Sequence, residues 1–272
     1  MDVLINNNNS SNEELASIIQ NFNKVTIKEI KPTTRNINEK NIRKHHILDC
    51  INNHKITLRE IYNWLLNNQN NSNSIYLLGY FYYHGIEINI DMQKASELYQ
   101  KAVELGNDVA HYNLVNMYID GGGVDINHCK AFELSEKLAE KEYSCGLNLL
   151  GYCYDLGIGI DMNKKTAFKL YQKAANLGNS HGINNLGWCH ENGYGTDIDK
   201  QKAFELYQKA ANFGNVNGMN SLGCCYKNGI GTDVDGHKAF ELYQKAANLG
   251  NDYAQFNVAF MYKKGNVIKR YS

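Results

Sequence analysis

One motif returns every 36 residues along this chain, and it constrains the fold more than any other feature of the sequence. A Leu-Gly pair, or an apolar replacement of it, stands at the same place in each copy. The six pairs are Leu78-Gly79, Leu114-Val115, Leu150-Gly151, Leu186-Gly187, Leu222-Gly223 and Val258-Ala259. A fixed period of about 20–50 residues is typical of proteins in which one small unit is stacked repeatedly. The period therefore predicts a repeat array rather than a fold with one central core.

Each repeat contains two helical segments, which we call helix A and helix B. Helix A carries the Leu-Gly pair and ends near a glycine such as Gly193, which tolerates a left-handed backbone. Helix B follows an Asp or Asn that suits a helix N-cap, such as Asp199. Its apolar residues, such as Ala203, Tyr207 and Ala210, share one face at helical spacing. The pattern predicts an all-α fold of stacked antiparallel helix pairs.

The second repeat departs from this pattern at three positions. Val115 replaces the glycine of helix A, Ser135 replaces the tyrosine of helix B, and Glu142 replaces the glycine that follows helix B. Because these positions determine how neighbouring helices pack, we expect local looseness or a change of superhelical pitch where the third repeat begins.

The segments that flank the array differ from it in composition. Residues 1–40 are rich in Asn and predict a largely disordered leader. Residues 41–72 predict an N-terminal helical cap, because residues 41–53 carry an apolar face and Thr57 with Glu60 forms a capping-box signature. The array itself spans residues 73–265, as five helix pairs and a final helix A. A short tail follows at residues 266–272.

The charge balance and the cysteine count limit the partners and the compartment. The chain has 28 Lys and Arg against 28 Asp and Glu, so it has no long-range field to gather nucleic acid or an anionic membrane. Seven cysteines without a secretory signal favour free thiols in a reducing compartment. No apolar run reaches the roughly 18 residues that span a bilayer. We expect a cytoplasmic protein that binds neither nucleic acid nor membrane.

No residue pattern in the sequence points to an active site, a cofactor or a metal. The glycine loops, such as Gly193–Gly195, follow helices rather than strands and lack the Lys-Ser or Lys-Thr of a phosphate-binding loop. Cys153, Cys189 and Cys225 share a position that Phe or Met fills in other repeats, which is typical of a core position. His190 stands in a tyrosine position at the edge of the core. We therefore predict a protein that is not an enzyme and holds no cofactor or metal.

The repeat resembles the Sel-one-like (Sel1-like) repeat, a relative of the tetratricopeptide repeat, over about residues 73–265. The resemblance depends on Lys202-Ala203-Phe204-Glu205-Leu206-Tyr207-Gln208-Lys209-Ala210-Ala211, preceded by Asn185-Leu186-Gly187. It implies a right-handed α-solenoid and an adaptor function. Proteins with such repeats hold partners together in signalling, in the control of cell-wall synthesis and in protein quality control.

The Asn-rich leader and residues 61–66 also look like fungal proteins in which such arrays follow a protein-kinase domain. This resemblance implies two alternatives to a simple adaptor. One is a regulatory activator subunit in a kinase or chitin synthase pathway, and the other is the adaptor half of a kinase–repeat protein. The sequence itself contains no His-Arg-Asp or Asp-Phe-Gly motif of a kinase.

The resemblance to tetratricopeptide arrays implies that one side of helix A lines a concave groove for an extended peptide of a signalling partner, such as a kinase. Aromatic, amide and charged side chains occupy the positions that it assigns. They are Tyr76, Tyr80, Tyr83, Tyr112, Asn116, Asn148, Tyr152, Asp155, Asn184, Trp188, Glu191, Asn220, Lys227, Phe256, Phe260 and Lys263. Amides suit the backbone of a peptide, and rings suit its apolar side chains. The alternative is that these rings only pack between neighbouring helices.

Among these residues we expect Trp188, Tyr152 and Asn184 to anchor the peptide, because they share a groove-facing register. The charged position changes from acidic in the third and fourth repeats to Lys in the fifth and sixth, which indicates a polar gradient along the groove. The final helix A has no helix B after it, and self-association through this helix is a further expectation.

Overall fold

The computed structural model describes residues 57–263, together with residues 16–17, and shows an all-α solenoid fold over that part of the chain. Within residues 57–263 there are twelve helices and no strand. They are α1 (Leu58–Asn67), α2 (Ser72–His84), α3 (Met92–Glu104), α4 (Asp108–Asp120), α5 (His128–Glu140), α6 (Ser144–Leu156), α7 (Lys164–Asn176), α8 (Ser180–Asn192), α9 (Lys200–Asn212), α10 (Val216–Asn228), α11 (Gly236–Asn248) and α12 (Asp252–Lys263). The predicted leader apart from residues 16–17, the predicted cap segment at 41–53 and the predicted tail lie outside the described residues.

The period of the sequence is visible as an alternation of A and B helices. The A helices α2, α4, α6, α8, α10 and α12 begin at residues 72, 108, 144, 180, 216 and 252, which are 36 residues apart. The helices from α2 to α11 each contain 13 residues. Each helix A from α2 to α10 packs on the helix B that follows it. The predicted helix pairs are confirmed.

Short polar side chains begin the helices at the predicted places. The N-cap residues of the B helices, whose side chains accept backbone hydrogen bonds from the first turn, are Asp91, Asn127, Asn163, Asp199 and Asp235. Thr57 and Glu60 form the predicted capping box: the Glu60 N–H donates to Thr57 Oγ1 at 3.2 Å, and the Thr57 N–H donates to Glu60 Oε2 at 2.8 Å. The hydrogen bond from the Thr57 backbone lowers the pKa of Glu60 most, and the bond from the Thr57 side chain lowers it further.

A left-handed residue follows the B helices of the first five repeats, and in the second repeat it is not glycine. Gly106, Gly178, Gly214 and Gly250 have φ between 80° and 87°, whereas Glu142 takes φ of 55° at the equivalent position. A residue with a Cβ pays about 1 kcal/mol or more in this region. Helix α5 is therefore followed by a strained residue, Glu142. The Glu142 N–H still donates to the Ala139 carbonyl at 2.9 Å.

A close contact between helix A and helix B explains the glycine of the Leu-Gly pair. A Cβ added to Gly187 would lie 2.9 Å from Cε1 of Tyr207, and that ring is only 1% exposed. The same contact joins Gly79 with Tyr99, Gly151 with Tyr171 and Gly223 with Tyr243. The missing side chain on helix A therefore makes room for the tyrosine ring of helix B in four repeats.

The second repeat changes both partners of this contact. Val115 stands in the glycine position of α4 and Ser135 in the tyrosine position of α5, and both are 0% exposed. The Ser135 hydroxyl donates to the Ala131 carbonyl at 2.7 Å, so its polar atom is satisfied inside its own helix. In the second repeat the larger side chain of the pair therefore lies on helix A, whereas in the other four it lies on helix B. Both residues are fully buried, and the looseness or change of superhelical pitch that Ser135 and Glu142 predict where the third repeat begins stays a prediction.

The chain divides into two compact units. The first comprises residues 1–31, 40–142 and 158–160, of which residues 16–17, 57–142 and 158–160 are described. The second comprises residues 32–39, 143–157 and 161–272, and its described part ends at residue 263. Within the second unit the core is a series of clusters, one containing Tyr171, Ile183 and Cys189 and the next Tyr207 and Leu222. Such serial clusters are typical of stacked repeats, in which each repeat contacts only its neighbours.

Candidate peptide-binding surface

The predicted groove positions of the first unit are largely covered by the protein itself. Tyr76 and Tyr80 are 0% and 2% exposed, and the ring of Tyr76 stacks on Tyr99 with 5.6 Å between centroids. These two rings pack between helices and present no surface to a partner. The remaining predicted positions of this unit, all half-buried, are Tyr83, Tyr112 and Asn116.

The second unit presents three aromatic rings at predicted positions. Tyr152 on α6, Trp188 on α8 and Phe256 on α12 are 37%, 39% and 70% exposed. Phe260 follows Phe256 by one helical turn, is half-buried and stacks on it with 6.4 Å between centroids. Exposed aromatic rings that recur at one position of a repeat are characteristic of protein interaction surfaces.

Three amide side chains belong to the same set of positions, and two of them are bonded within the protein. Asn148 Oδ1 accepts a hydrogen bond from Asn185 Nδ2, and Asn220 Oδ1 accepts one from Asn257 Nδ2, each at 3.0 Å. Asn184 differs, because its Oδ1 atom is buried and has no hydrogen-bond partner among the described residues. A buried acceptor without a partner costs about 1–3 kcal/mol. The cost would be removed if the side chain turned so that a peptide N–H could reach this oxygen.

Two residues that the sequence analysis missed hold Trp188 in place. The centroid of its ring lies 4.6 Å from that of Tyr194. The Lys164 ammonium lies 5.7 Å from the centroid of Trp188 and 4.9 Å from that of Tyr194. The same ammonium donates to the Asp155 carboxylate at 2.9 Å and to the Asp155 carbonyl at 2.7 Å. A ring that is already fixed loses little conformational entropy when a partner binds it.

Asp155 is therefore a different kind of residue from the one predicted. Its side chain is only 7% exposed and is fully engaged by Lys164, so it supports the surface instead of contacting a peptide. The sequence contains a clue to this pair, because Asp155 and Lys164 have opposite charges at the end of one helix and the start of the next. Tyr194 had no such clue, since its position depends on the path of the Gly193–Gly195 loop.

The remaining charged positions are Glu191, Lys227 and Lys263. The Glu191 carboxylate accepts a hydrogen bond from the Tyr207 hydroxyl at 2.7 Å. Burial, followed by this hydrogen bond, raises the pKa of Tyr207, so the phenol remains a donor. The Lys227 ammonium lies 4.9 Å from the ring centroid of Phe260, and Lys263 at the end of α12 is exposed.

Cys189, Cys225 and His190 behave as core residues, whereas Cys129 is exposed. The six cysteines of the described residues are free thiols. Burial raises the pKa of Cys189 and of Cys225 to about 12, so these two are not reactive thiolates. Burial also lowers the pKa of His190, and neither of its ring nitrogens has a hydrogen-bond partner in the part of the chain that the structure describes.

Neither a metal-binding group of side chains nor a membrane-spanning helix is found among the described residues. Among residues 57–263, no three His, Cys, Asp or Glu side chains are grouped so that they could hold a metal ion. None of the described helices combines the length and the apolar character needed to cross a membrane.

Comparison with known proteins identifies the repeat. The family described as Sel1 repeat matches residues 72–107, 108–143, 146–179, 180–215, 216–251 and 252–270. These segments begin within two residues of the A helices seen in the structure. No curated protein gives a significant match.

Solved structures show the same architecture. A Sel1 repeat protein from Oxalobacter formigenes is 28% identical, with a TM-score of 0.64, over 79% of this chain and 86% of that one. A protective antigen of uropathogenic Escherichia coli strains with an SLR fold is 28% identical, with a TM-score of 0.58, over 78% of this chain and 46% of that one. An immunity protein from Pseudomonas aeruginosa is 25% identical, with a TM-score of 0.52, over 69% of this chain and 68% of that one.

Proposed function

This chain belongs to the Sel1 repeat family, and we propose that it is a non-catalytic scaffold whose second unit binds an extended peptide segment of another protein. Sel1 repeat proteins are in general protein-interaction scaffolds. The peptide would lie across the A helices α6, α8 and α10, with Tyr152 and Trp188 against its side chains and Asn184 bonded to its backbone.

One observation carries this proposal. Two aromatic rings at equivalent positions of α6 and α8, Tyr152 and Trp188, are more than one third exposed, and a buried amide oxygen without a partner lies one turn before Trp188, on Asn184. An extended peptide satisfies both features, because it supplies apolar side chains for the rings and N–H donors for the amide. Trp and Tyr are also the residues that most often dominate the energy of an interface.

The source of the peptide is inferred from the resemblance of the repeat. The resemblance of the repeat to adaptor proteins supports a signalling protein, such as a kinase, as the source of the peptide and the cytoplasm as the compartment. A regulatory activator subunit of such a pathway would use the same surface, so both forms of the proposal make the same prediction for Trp188.

The test is a selection from random peptides displayed on phage, with the 272-residue chain as bait. Selected peptides are then measured by fluorescence anisotropy against the wild type and against Trp188→Ala combined with Tyr152→Ala. Losing two aromatic anchors should weaken binding by at least about 30-fold, which corresponds to about 2 kcal/mol. Circular dichroism of both proteins checks that the helices are intact.

The matched control is Ile198→Ala, which removes a 64% exposed apolar side chain from the A–B loop of the same repeat. It should change binding by less than about twofold, since surface substitutions away from an interface usually have small effects. If the selected peptides bind the double variant as tightly as the wild type, the proposed surface is wrong.

A second candidate function is self-association, and the surface of α12 favours it. Tyr253, Phe256 and Tyr262 on this helix are 77%, 70% and 48% exposed. Large exposed apolar surface on one helix is typical of an interaction site. Light scattering over a range of concentrations tests this candidate, and a mass equal to one chain throughout would exclude it. Phe256→Ser should lower the mass if the helix forms the contact.

A further inference from the structure

The charged position of helix A differs between three successive repeats of the second unit, those that begin with α6, α8 and α10, and the difference concerns the partner. Counting five residues after the Leu of the repeat motif, it holds Asp155 on α6, Glu191 on α8 and Lys227 on α10. What distinguishes these residues is whether the protein itself neutralises their charge.

Asp155 is neutralised within the protein. Its carboxylate pairs with the Lys164 ammonium at 2.9 Å, and the side chain is only 7% exposed. No charge remains here for a partner to compensate.

Glu191 is not neutralised. Its carboxylate accepts a hydrogen bond from the neutral Tyr207 hydroxyl at 2.7 Å, and no cation of the described residues lies within ion-pair distance. Lys200, which occupies in this repeat the place that Lys164 has in the preceding one, makes no ion pair with it. The side chain is half-buried, so its negative charge remains open to a partner.

Lys227 is the opposite case on the neighbouring helix. Its ammonium lies 4.9 Å from the ring centroid of Phe260, and no carboxylate of the described residues lies within ion-pair distance. Helices α8 and α10 contact each other. The second unit therefore presents one unpaired anion and one unpaired cation at equivalent positions of adjacent A helices.

We propose that Glu191 and Lys227 are two ionic subsites of the peptide surface, with Glu191 binding a Lys or Arg side chain of the partner and Lys227 binding an Asp or Glu side chain. This inference rests on the proposed function. It deepens that function by stating which peptides the surface selects.

The spacing of the two subsites sets the spacing of the charges in the peptide. Packed helices lie about 10 Å apart. A peptide in the polyproline II conformation advances about 3.1 Å per residue and has three residues per turn, so residues with two others between them lie on one face, about 9 Å apart. A basic and an acidic residue at this spacing would therefore reach both subsites. Because Trp188 stands three residues before Glu191 on α8, on the same helical face, the bound cation also lies beside the indole ring.

The experiment is the same phage selection, repeated with single charge reversals of the full chain. The wild type should enrich peptides with one basic and one acidic residue at this spacing. Glu191→Lys should enrich two acidic residues at the same spacing, and Lys227→Glu should enrich two basic residues. Single reversals are chosen because a peptide bound in the opposite direction would satisfy a double reversal.

A neutral variant separates the loss of the charge from a folding defect that a charge reversal could cause. Glu191→Gln keeps an acceptor for the Tyr207 hydroxyl and should weaken a wild-type-selected peptide by about five- to tenfold, with a smaller effect at high salt. Glu205→Lys is the control, because Glu205 is an exposed residue on helix B of the same repeat. It should leave the selection unchanged.

The outcomes separate this inference from the proposed function. If the selected peptides need Trp188 and Tyr152 but show no charge spacing, or if the reversals leave the selection unchanged, the ionic subsites are wrong and the proposed function stands. If the peptides bind equally well without Trp188 and Tyr152, or if no peptide is selected, the proposed function and this inference fail together.

Discussion

Placing the Val and Ser of the second repeat at positions 187 and 207 of the fourth repeat tests how helix A packs on helix B. Gly187→Val adds a Cβ that would lie 2.9 Å from Tyr207 Cε1 and 3.3 Å from Leu206 Cβ, with two further methyl groups beyond it. Overpacking of a closed core costs about 1–3 kcal/mol, and occasionally more. Because the Tyr207 ring is 1% exposed and bonded to Glu191, it has little room to yield, so we expect the upper end of this range.

Tyr207→Ser has the opposite effect, because it leaves empty space where Gly187→Val adds too much volume. It removes a fully buried ring, for which truncation typically costs about 3–5 kcal/mol. It also removes the hydroxyl that donates to Glu191. Combining the two changes reproduces the pair Val115 and Ser135, in which the volume lies on helix A.

The double variant should therefore be more stable than the sum of the single variants predicts, by about 1 kcal/mol or more. Urea unfolding followed by far-ultraviolet circular dichroism measures the free energy of unfolding of all four proteins. Gly236→Ala is the matched control, because no heavy atom lies within 4 Å of the Cβ it would add, and it should not destabilise. Strict additivity of the two single changes would refute the view that Val115 compensates for Ser135.

Three further predictions concern single residues. Glu142→Gly should raise the free energy of unfolding by about 1 kcal/mol, because it relieves a φ of 55°, and thermal unfolding would show it. A maleimide at neutral pH should label the exposed Cys129 quickly and the buried Cys189 and Cys225 slowly, since burial raises the pKa of both thiols to about 12. His190→Tyr should reduce the loss of stability as the pH falls below about 6.5, because burial lowers the pKa of His190 and the unfolded chain is protonated first.

Each of these predictions has its own control. Glu140→Gly, inside α5, should lower stability where Glu142→Gly raises it. Labelling in denaturant should make all thiols equally reactive, and fast labelling of Cys189 in the native protein would contradict its burial. His111 has a pKa lowered by burial as well, so part of the pH dependence should remain in His190→Tyr, but an unchanged slope would contradict the assignment to His190.

The local features of the fold were predictable because they depend on residues close together in the sequence. The N-cap of Asp199 and the capping box of Thr57 and Glu60 involve backbone groups only two or three residues away. The repeat period then identified helix pairs, because each pair has to bury its apolar face against the next. The sequence shows Val115 and Ser135 as exceptions to the repeat pattern, but it does not show that one makes up for the other. Their compensation depends on which residues of helix A face helix B.

The candidate surface was less predictable, since exposure depends on what the neighbouring elements cover. Tyr80 and Tyr152 occupy the same repeat position, yet Tyr80 is 2% exposed and Tyr152 is 37% exposed. The period alone cannot separate them. Similarly, the pairing of Asp155 with Lys164 depends on how the A–B loop returns the chain to α6. The sequence therefore shows the charges of Asp155 and Lys164 and favours their pairing, whereas the burial of the pair depends on the fold.

The fluorescence of Trp188 during a peptide titration tests the account most directly. The chain has two tryptophans, so Trp64→Phe leaves Trp188 as the only one. Because its ring is 39% exposed, a peptide that covers it should shift its emission to shorter wavelength, and the shift should saturate at the same concentration as binding measured by anisotropy. If a selected peptide binds tightly while the emission of Trp188 stays unchanged, the peptide lies elsewhere and the proposed surface is wrong.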